Sequence, residues 1–455
     1  MQFPSAKRGP AVRLVACAAV LQLLAAVVAL GVVERPEQAA QNGAARARAV
    51  PGATVPGSAG AERAAALDRA AEVTRLLEAR AAAVLGRDRE AFLDTVDASS
   101  GGFLERQQAL FEALAEVPLG TWRYGFEPLG GRAADASLDA RYGRGQWWGT
   151  QVRLTHSLAE FDEAPSTDEH HLTFVRRDGR WLLGADDDFA AIGGVTERAL
   201  WDGGPVEVVR TGEVLVLGHG DTDLLREIAA TTAASVPAVS AVWTDPWPRR
   251  VVVLVPSTTK EMASLLSRPQ DLSRIAAVAT TEPSAGSSAV VDRVLVNPES
   301  FGPLGAIGRQ VVLRHEVTHV ATRRATGPST PAWLAEGFAD YVAYKGAGVP
   351  LPLAAADLRE DVRAGRLPLQ LPATDAFSGA SPQLAQAYQQ SWLAVRLLAE
   401  RYGEPALLSA YRAIGARTLA GAPAAAVSAE LERAFGLDTA ELTDQWRADL
   451  QRQLG

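Results

Sequence analysis

The amino-acid sequence predicts an α+β protein entered through an N-terminal transmembrane helix. Three observations predict it. An apolar run from Leu14 to Val33, broken only by Gln22, follows Lys7, Arg8 and Arg13. Residues 62–195 read as helices followed by a meander of strands, and residues 196–455 as strands followed by helices, so helices and strands are segregated rather than alternating. The 455 residues are also too many for a single hydrophobic core, which makes two or more domains the expectation.

The twenty residues of the apolar run, at ~1.5 Å per residue, would cross a bilayer core. Secretory signal peptides carry a shorter apolar stretch of about 7–15 residues. Residues 1–34 are therefore read as a cytoplasmic stub and an uncleaved signal anchor. The three cations should stay inside, which makes the chain a single-pass cell-membrane protein with everything after Val33 extracytoplasmic. Leu14-Val15-Ala16-Cys17 has the look of a lipobox, but too few apolar residues precede Cys17. Cys17 is the only cysteine, so no intramolecular disulfide can form. A net charge of -8 supplies no basic footprint, which argues against a nucleic-acid partner.

Residues 35–61 are rich in Ala, Gly and Pro without apolar periodicity and read as a flexible linker. In 62–195, Leu67, Ala71, Val73, Leu76, Leu77, Ala81 and Val84 recur at helical spacing, and Ala91 to Val96 and Phe103 to Leu114 add two shorter helices. Strands are predicted over Trp122 to Phe126, Leu138 to Tyr142, Gln151 to Leu158, His170 to Arg177 and Arg180 to Ala185. Asp178-Gly179 suits a tight hairpin turn with positive φ. The opening helices and that hairpin resemble the NTF2-like fold, which implies a curved antiparallel sheet wrapped on helices but no function of its own. His170-His171 with Asp186, Asp187 and Asp188 reads as a strand pair and an acidic turn in preference to a second metal site. Trp147-Trp148 reads as a packed sheet edge in preference to a ligand pocket.

In 196–455, strands are predicted over Val206 to Gly218, Arg250 to Val255, Ala276 to Thr281 and Val290 to Val296, and helices over Thr222 to Ala234 and Thr258 to Leu266. After Asn297 the pattern is helical almost to the end. A helix over Leu304 to Arg323 contains His315-Glu316-Val317-Thr318-His319. Residues four apart differ by only ~40° around a helix, so both imidazoles face one side and can share a zinc ion. Ile307 and Val311 continue that stripe as a buried face. Glu316 lies about 100° round from His315, which suits a general base for a metal-activated water better than a ligand. A third ligand is needed, and Glu336 stands 17 residues beyond His319 in a helix that Pro331 can open. Asp340, one turn further on, can accept the free ring N–H of a ligand histidine.

His-Glu-x-x-His followed by Trp333-Leu-x-Glu336-Gly-x-Ala-x-Tyr341 is similar to the gluzincin metallopeptidases, in particular peptidase-MA-like domains, over roughly residues 200 to 455. The resemblance implies a zincin-type α+β domain in which His315, His319 and Glu336 bind Zn2+, Glu316 activates water and Asp340 supports a histidine. The gap to Glu336 is slightly shorter than in well-known members. Neither Met1 nor Met262 lies in a Gly-x-Met-Glu-Asn segment, so one large aminopeptidase branch is disfavoured. An oxyanion donor is expected from Tyr341 or Tyr388, the resemblance favouring Tyr388. The expected function is zinc-dependent hydrolysis of peptide bonds in a peptide or protein substrate by a membrane-anchored extracytoplasmic enzyme. The alternative is a binding or sensing module at the cell surface that keeps the fold and turns nothing over.

Overall fold

In the computed structural model, residues 58–266, 271–282, 284, 291–417 and 423–455 are described. The first of them begin α1 (Ser58–Leu85), which starts inside the segment expected as linker. Its Val73 and Leu77, one turn apart, are buried. Two short helices follow, α2 (Arg89–Leu93) and α3 (Gly102–Ala113), then β1 (Leu119–Phe126), α4 (Ala136–Tyr142), β2 (Trp147–Leu158), β3 (Ser166–Arg177) and β4 (Arg180–Ala185). The four strands form an antiparallel meander in the order β1-β2-β3-β4. Asp178 and Gly179 join β3 to β4 with φ of 47° and 81°, the positive-φ turn expected.

One face of this sheet packs Trp148, Val152, Leu172, Phe174 and Leu183 against Val73, Leu77 and Phe103 of the helices. Trp148 stacks on Phe174 with ring centroids 5.8 Å apart. The other face carries Trp147 and Val175, covered by Leu138 and Phe189. Leu138 belongs to α4, so the strand expected over Leu138 to Tyr142 is a helix instead. The reason is local: the Asp135 carboxylate accepts the backbone N–H groups of Ser137 and Leu138 and caps the helix start.

The second sheet is mixed, with strand order β5-β6-β7-β9-β8. It is built from β5 (Glu207–Thr211), β6 (Val214–Gly218), β7 (Val251–Val255), β8 (Ala277–Glu282) and β9 (Val291–Val296), with α5 (Thr222–Val242) and α6 (Thr259–Ser264) in the connections. The run expected as strand from Val206 to Gly218 doubles back at Gly212, whose φ is 57°, to give the β5–β6 hairpin. β6, β7 and β9 lie parallel. The buried Val-Leu-Val-Leu and Val-Val-Val-Leu-Val stretches of β6 and β7 suit a sheet covered on both faces. Antiparallel β8 closes the edge.

The chain continues through α7 (Pro298–Phe301), α8 (Ala306–Thr322), α9 (Ala332–Tyr344), α10 (Leu351–Ala354), α11 (Ala356–Arg363), α12 (Leu384–Tyr402), α13 (Glu404–Gly415), α14 (Pro423–Phe435) and α15 (Thr439–Leu454). α5 and α8 cover one face of the second sheet, and α9 packs between α8 and α12. The opposite face presents Leu217, Leu254, Arg293 and Leu295 to His156 and Leu158 of β2 across a cavity of about 180 Å3. Buried Arg293 ties the layers together: its guanidinium donates to both oxygens of Asp162, at 2.7 and 2.9 Å, and pairs with Glu282 at 3.1 Å.

The membrane expectation is corrected. No helix among the described residues is long and apolar enough to cross a membrane. α1, at 28 residues, has the length but carries Glu62, Arg63, Asp68, Arg69, Glu72, Arg75, Glu78 and Arg80. The 21-residue α5 packs Leu225, Ile228 and Val239 into the core instead. The apolar run Leu14 to Val33 lies outside the described residues, so the single-pass cell-membrane placement has no support in the fold. The architecture is α+β without a spanning helix among the described residues.

Candidate metal centre

α8 begins within two residues of its expected start, and its second half is wholly buried from His315 to Thr322. The apolar stripe is shorter than expected, since Val311 is buried but Ile307 is 54% exposed. After α8 a tight turn at Arg323–Ala325 and the Gly327-Pro328 break reverse the chain. Pro331 then sits just ahead of α9, its fixed φ of -67° setting the helix start. α9 presents Glu336 and Asp340 toward α8. Gly337 lets it do so while pressed on α12, because a Cβ there would stand 2.3 Å from the Ser391 carbonyl oxygen.

The two helices bring His315, His319 and Glu336 together, all 2–3% exposed, as a group able to hold a metal ion. His315 Nε2 lies 2.9 Å from His319 Nε2 and 3.2 Å from Glu336 Oε2, and His319 Nε2 lies 3.4 Å from the same oxygen. Three ligands at ~2.0–2.1 Å from a tetrahedral zinc would stand about 3.3 Å apart. The triangle therefore has the size of one face of that tetrahedron. Asp340 Oδ1 lies 2.8 Å from His315 Nδ1. A proton there makes Nδ1 the donor and leaves the Nε2 lone pair turned inward, as a ligand requires. No other group of three or more potential ligands of this kind occurs among the described residues.

Glu316 is fully buried between α8 and the edge strand, where its Oε2 accepts the Ala279 N–H at 2.7 Å. Its Oε1 is buried with no hydrogen-bond partner. A carboxylate oxygen left bare in the interior fits a site completed by a further polar group, such as a water on a metal. Burial, reinforced by the Glu336 charge and opposed by His315 and the Ala279 N–H, pushes the Glu316 pKa up to about 7. Burial also takes His319 down to about 4 despite Glu336. In Glu336 the burial cost is outweighed by the two histidines, which hold it at about 2, ready to act as an anion. For His315 burial is likewise outweighed, by Asp340 and Glu336, and its pKa is raised.

Tyr388 on α12 is buried beside the centre, its ring centroid 6.0 Å from that of His315 and 5.2 Å from that of Phe377. Burial and the charges of Glu336, Asp340 and Glu316 raise its pKa, so it keeps its proton and remains a donor. Tyr341 is drawn elsewhere: its hydroxyl donates to Glu404 Oε1 at 2.5 Å. The acidic turn is likewise engaged away from any metal. Asp186 pairs with Arg106 and Arg198, Asp187 with Arg106, and Asp188 with Arg141 and Tyr142. Trp147 and Trp148 are 1% exposed and packed. The sequence reading missed the Ala279 N–H; only the pairing of a distant strand edge with α8 reveals it.

No protein-family model matches the chain, and no curated protein matches it. Among solved structures it is similar to an M1 zinc metallopeptidase from Deinococcus radiodurans at 16% identity and a TM-score of 0.28. A mutant form of that enzyme bound to a Tyr-Ser-Ala substrate matches at 17% identity and a TM-score of 0.27. In both cases 60% of this chain is covered, and it spans 58% of the length of the solved chain. At such identities and TM-scores the site has to be read from its own side chains.

Proposed function

We propose that the protein is a zinc-dependent hydrolase of peptide bonds. The observation that carries this reading is the triangle of His315, His319 and Glu336 donor atoms, of zinc size, beside a buried Glu316 oxygen without a partner. Zinc held there would supply Lewis acidity and an acidified water. The protein's own residues do the rest. Asp340 orients His315, and Glu316 accepts a proton at Oε1 and can return it to the leaving amine. Tyr388, a buried donor whose ring lies beside that of His315, is proposed to stabilise the carbonyl oxygen as charge develops on it.

Residues 62–195 are proposed as an NTF2-like domain and 196–455 as the metallopeptidase domain. The first sheet and its helices support the former, and the second sheet with α8 and α9 the latter. One hydrophobic cluster runs from Trp122, Leu154 and Leu158 into Trp201, Val216 and Leu217, so the two pack as one body.

The test is zinc content and cleavage of a broad peptide library by wild type and Glu316→Gln. The expected result is one zinc per chain in both, with cleavage reduced by about 10³-fold or more in the variant. Equal rates would remove Glu316 as the base, and stoichiometric zinc without cleavage would leave a binding module. Tyr388→Phe should keep zinc and lower kcat by about 10²-fold.

A further inference from the structure

β8 is an edge strand, so the backbone groups on its outer side have no strand partner. Ala279 lies opposite Val294 in the pairing with β9, and both of its outward groups are taken by side chains of the α8 segment. Its N–H donates to Glu316 Oε2 at 2.7 Å, and its carbonyl accepts from Arg323 Nη2 at 3.3 Å. Arg323 follows Glu316 by seven residues, about two helical turns, which returns it to the same side. The guanidinium is itself held: Nε donates at 2.8 Å to Oδ1 of Asp292, a β9 residue opposite Thr281 of β8. The Arg323 and Asp292 side chains are 11% and 19% exposed, so the contact is largely shielded from water.

The single residue whose amide holds the Glu316 carboxylate is thus gripped from the same helical segment, and the grip is anchored on the neighbouring strand. Resting on the hydrolase reading above, we propose that Arg323 and Asp292 are positioning residues for the general base. They fix the Ala279 peptide so that it holds one oxygen of Glu316 and leaves the other turned toward the centre. A shared, planar guanidinium suits this task, because it can donate to a carboxylate and a carbonyl in fixed directions at once.

The test compares the full-length wild type with Arg323→Gln, Arg323→Lys, Asp292→Asn and the double variant Arg323→Gln/Asp292→Asn. Amide exchange over residues 277–282 is measured in the zinc-free proteins, and kcat and KM in the zinc-loaded ones. Arg323→Gln and Asp292→Asn should each raise exchange in that strand by about tenfold. Each should lower kcat by about 10- to 100-fold with KM changed less than about twofold. The double variant should be no worse than the poorer single, because the pair acts as a unit, and Arg323→Lys should recover part of the loss. Unchanged exchange, or losses that multiply in the double variant, would overturn the proposal. So would equal falls in zinc content and melting temperature with no separate effect on kcat. A wild type that binds zinc and cleaves nothing would refute the hydrolase reading, while the exchange comparison would still decide for or against the clamp.

Discussion

Two buried histidines of this protein, His315 and His156, each sit against a carboxylate, yet only one belongs to a candidate metal centre. His315 has Asp340 at 2.8 Å on one ring nitrogen and, on the other, His319 and Glu336. His156 has Asp168 at 2.9 Å on Nε2, while its buried Nδ1 has no partner. Its ring lies among Trp122 and Trp201 at centroid distances of 6.0 and 5.2 Å, beside the cavity between the sheets. A histidine–carboxylate pair alone is a structural contact. What separates the two sites is convergence: at His315 the next turn of α8 supplies His319 and a second helix, α9, supplies Glu336, so that two further donor atoms stand at tetrahedral spacing.

That contrast is broken most severely by removing a converging donor. His319→Ala should abolish stoichiometric zinc binding, read by metal analysis after dialysis, because two ligands do not make a closed site. Asp340→Asn should leave the three donors in place but weaken zinc by about 10- to 100-fold, since the carboxylate fixes the His315 tautomer. His156→Gln should leave zinc stoichiometry intact and cost about 1–3 kcal/mol of stability, measured by denaturant unfolding. Zinc lost from His156→Gln would show that the two sites are not separate.

The same pair gives a finer test through pH. Burial lowers the His156 pKa, but Asp168 outweighs it, and the folded value lies above the ordinary histidine value of 6.5. Burial raises Asp168, but His156 outweighs it, and the folded value lies below 3.8. For the histidine, the stabilisation is present below 6.5 and lost as pH rises through the higher folded value. For the aspartate, it is present above 3.8 and lost as pH falls through the lower one. The stability difference between wild type and His156→Gln should therefore be widest between pH 3.8 and 6.5 and narrow on either side. A difference that keeps growing above that window would contradict the ion-pair account.

Much of the centre was legible in the sequence because its parts obey local rules. Four-residue spacing puts His315 and His319 on one face, and Gly327, Pro328 and Pro331 mark the break that returns Glu336. The rest depended on contacts that no local pattern contains. Leu138, Ala140 and Tyr142 alternate like a strand, but the Asp135 cap makes them helical. Ile307 continues the apolar spacing of α8 yet is exposed, while Leu304 and Gly308 on either side of it are buried, so the first turn faces the core with other residues than that stripe. The grip of Arg323 on Ala279 joins residues 44 apart in sequence and uses a backbone carbonyl, which carries no residue signature.

The central claim is that two imidazole nitrogens and one carboxylate oxygen hold a single zinc with one corner left to solvent. X-ray absorption at the zinc edge of the zinc-loaded protein tests it most directly. The account predicts four nitrogen or oxygen neighbours at about 2.0–2.2 Å, with multiple scattering from two imidazoles and one neighbour that exchanges for an added small-molecule zinc ligand. A site with fewer than two imidazoles, or one whose four neighbours all come from the protein and do not exchange, would contradict it.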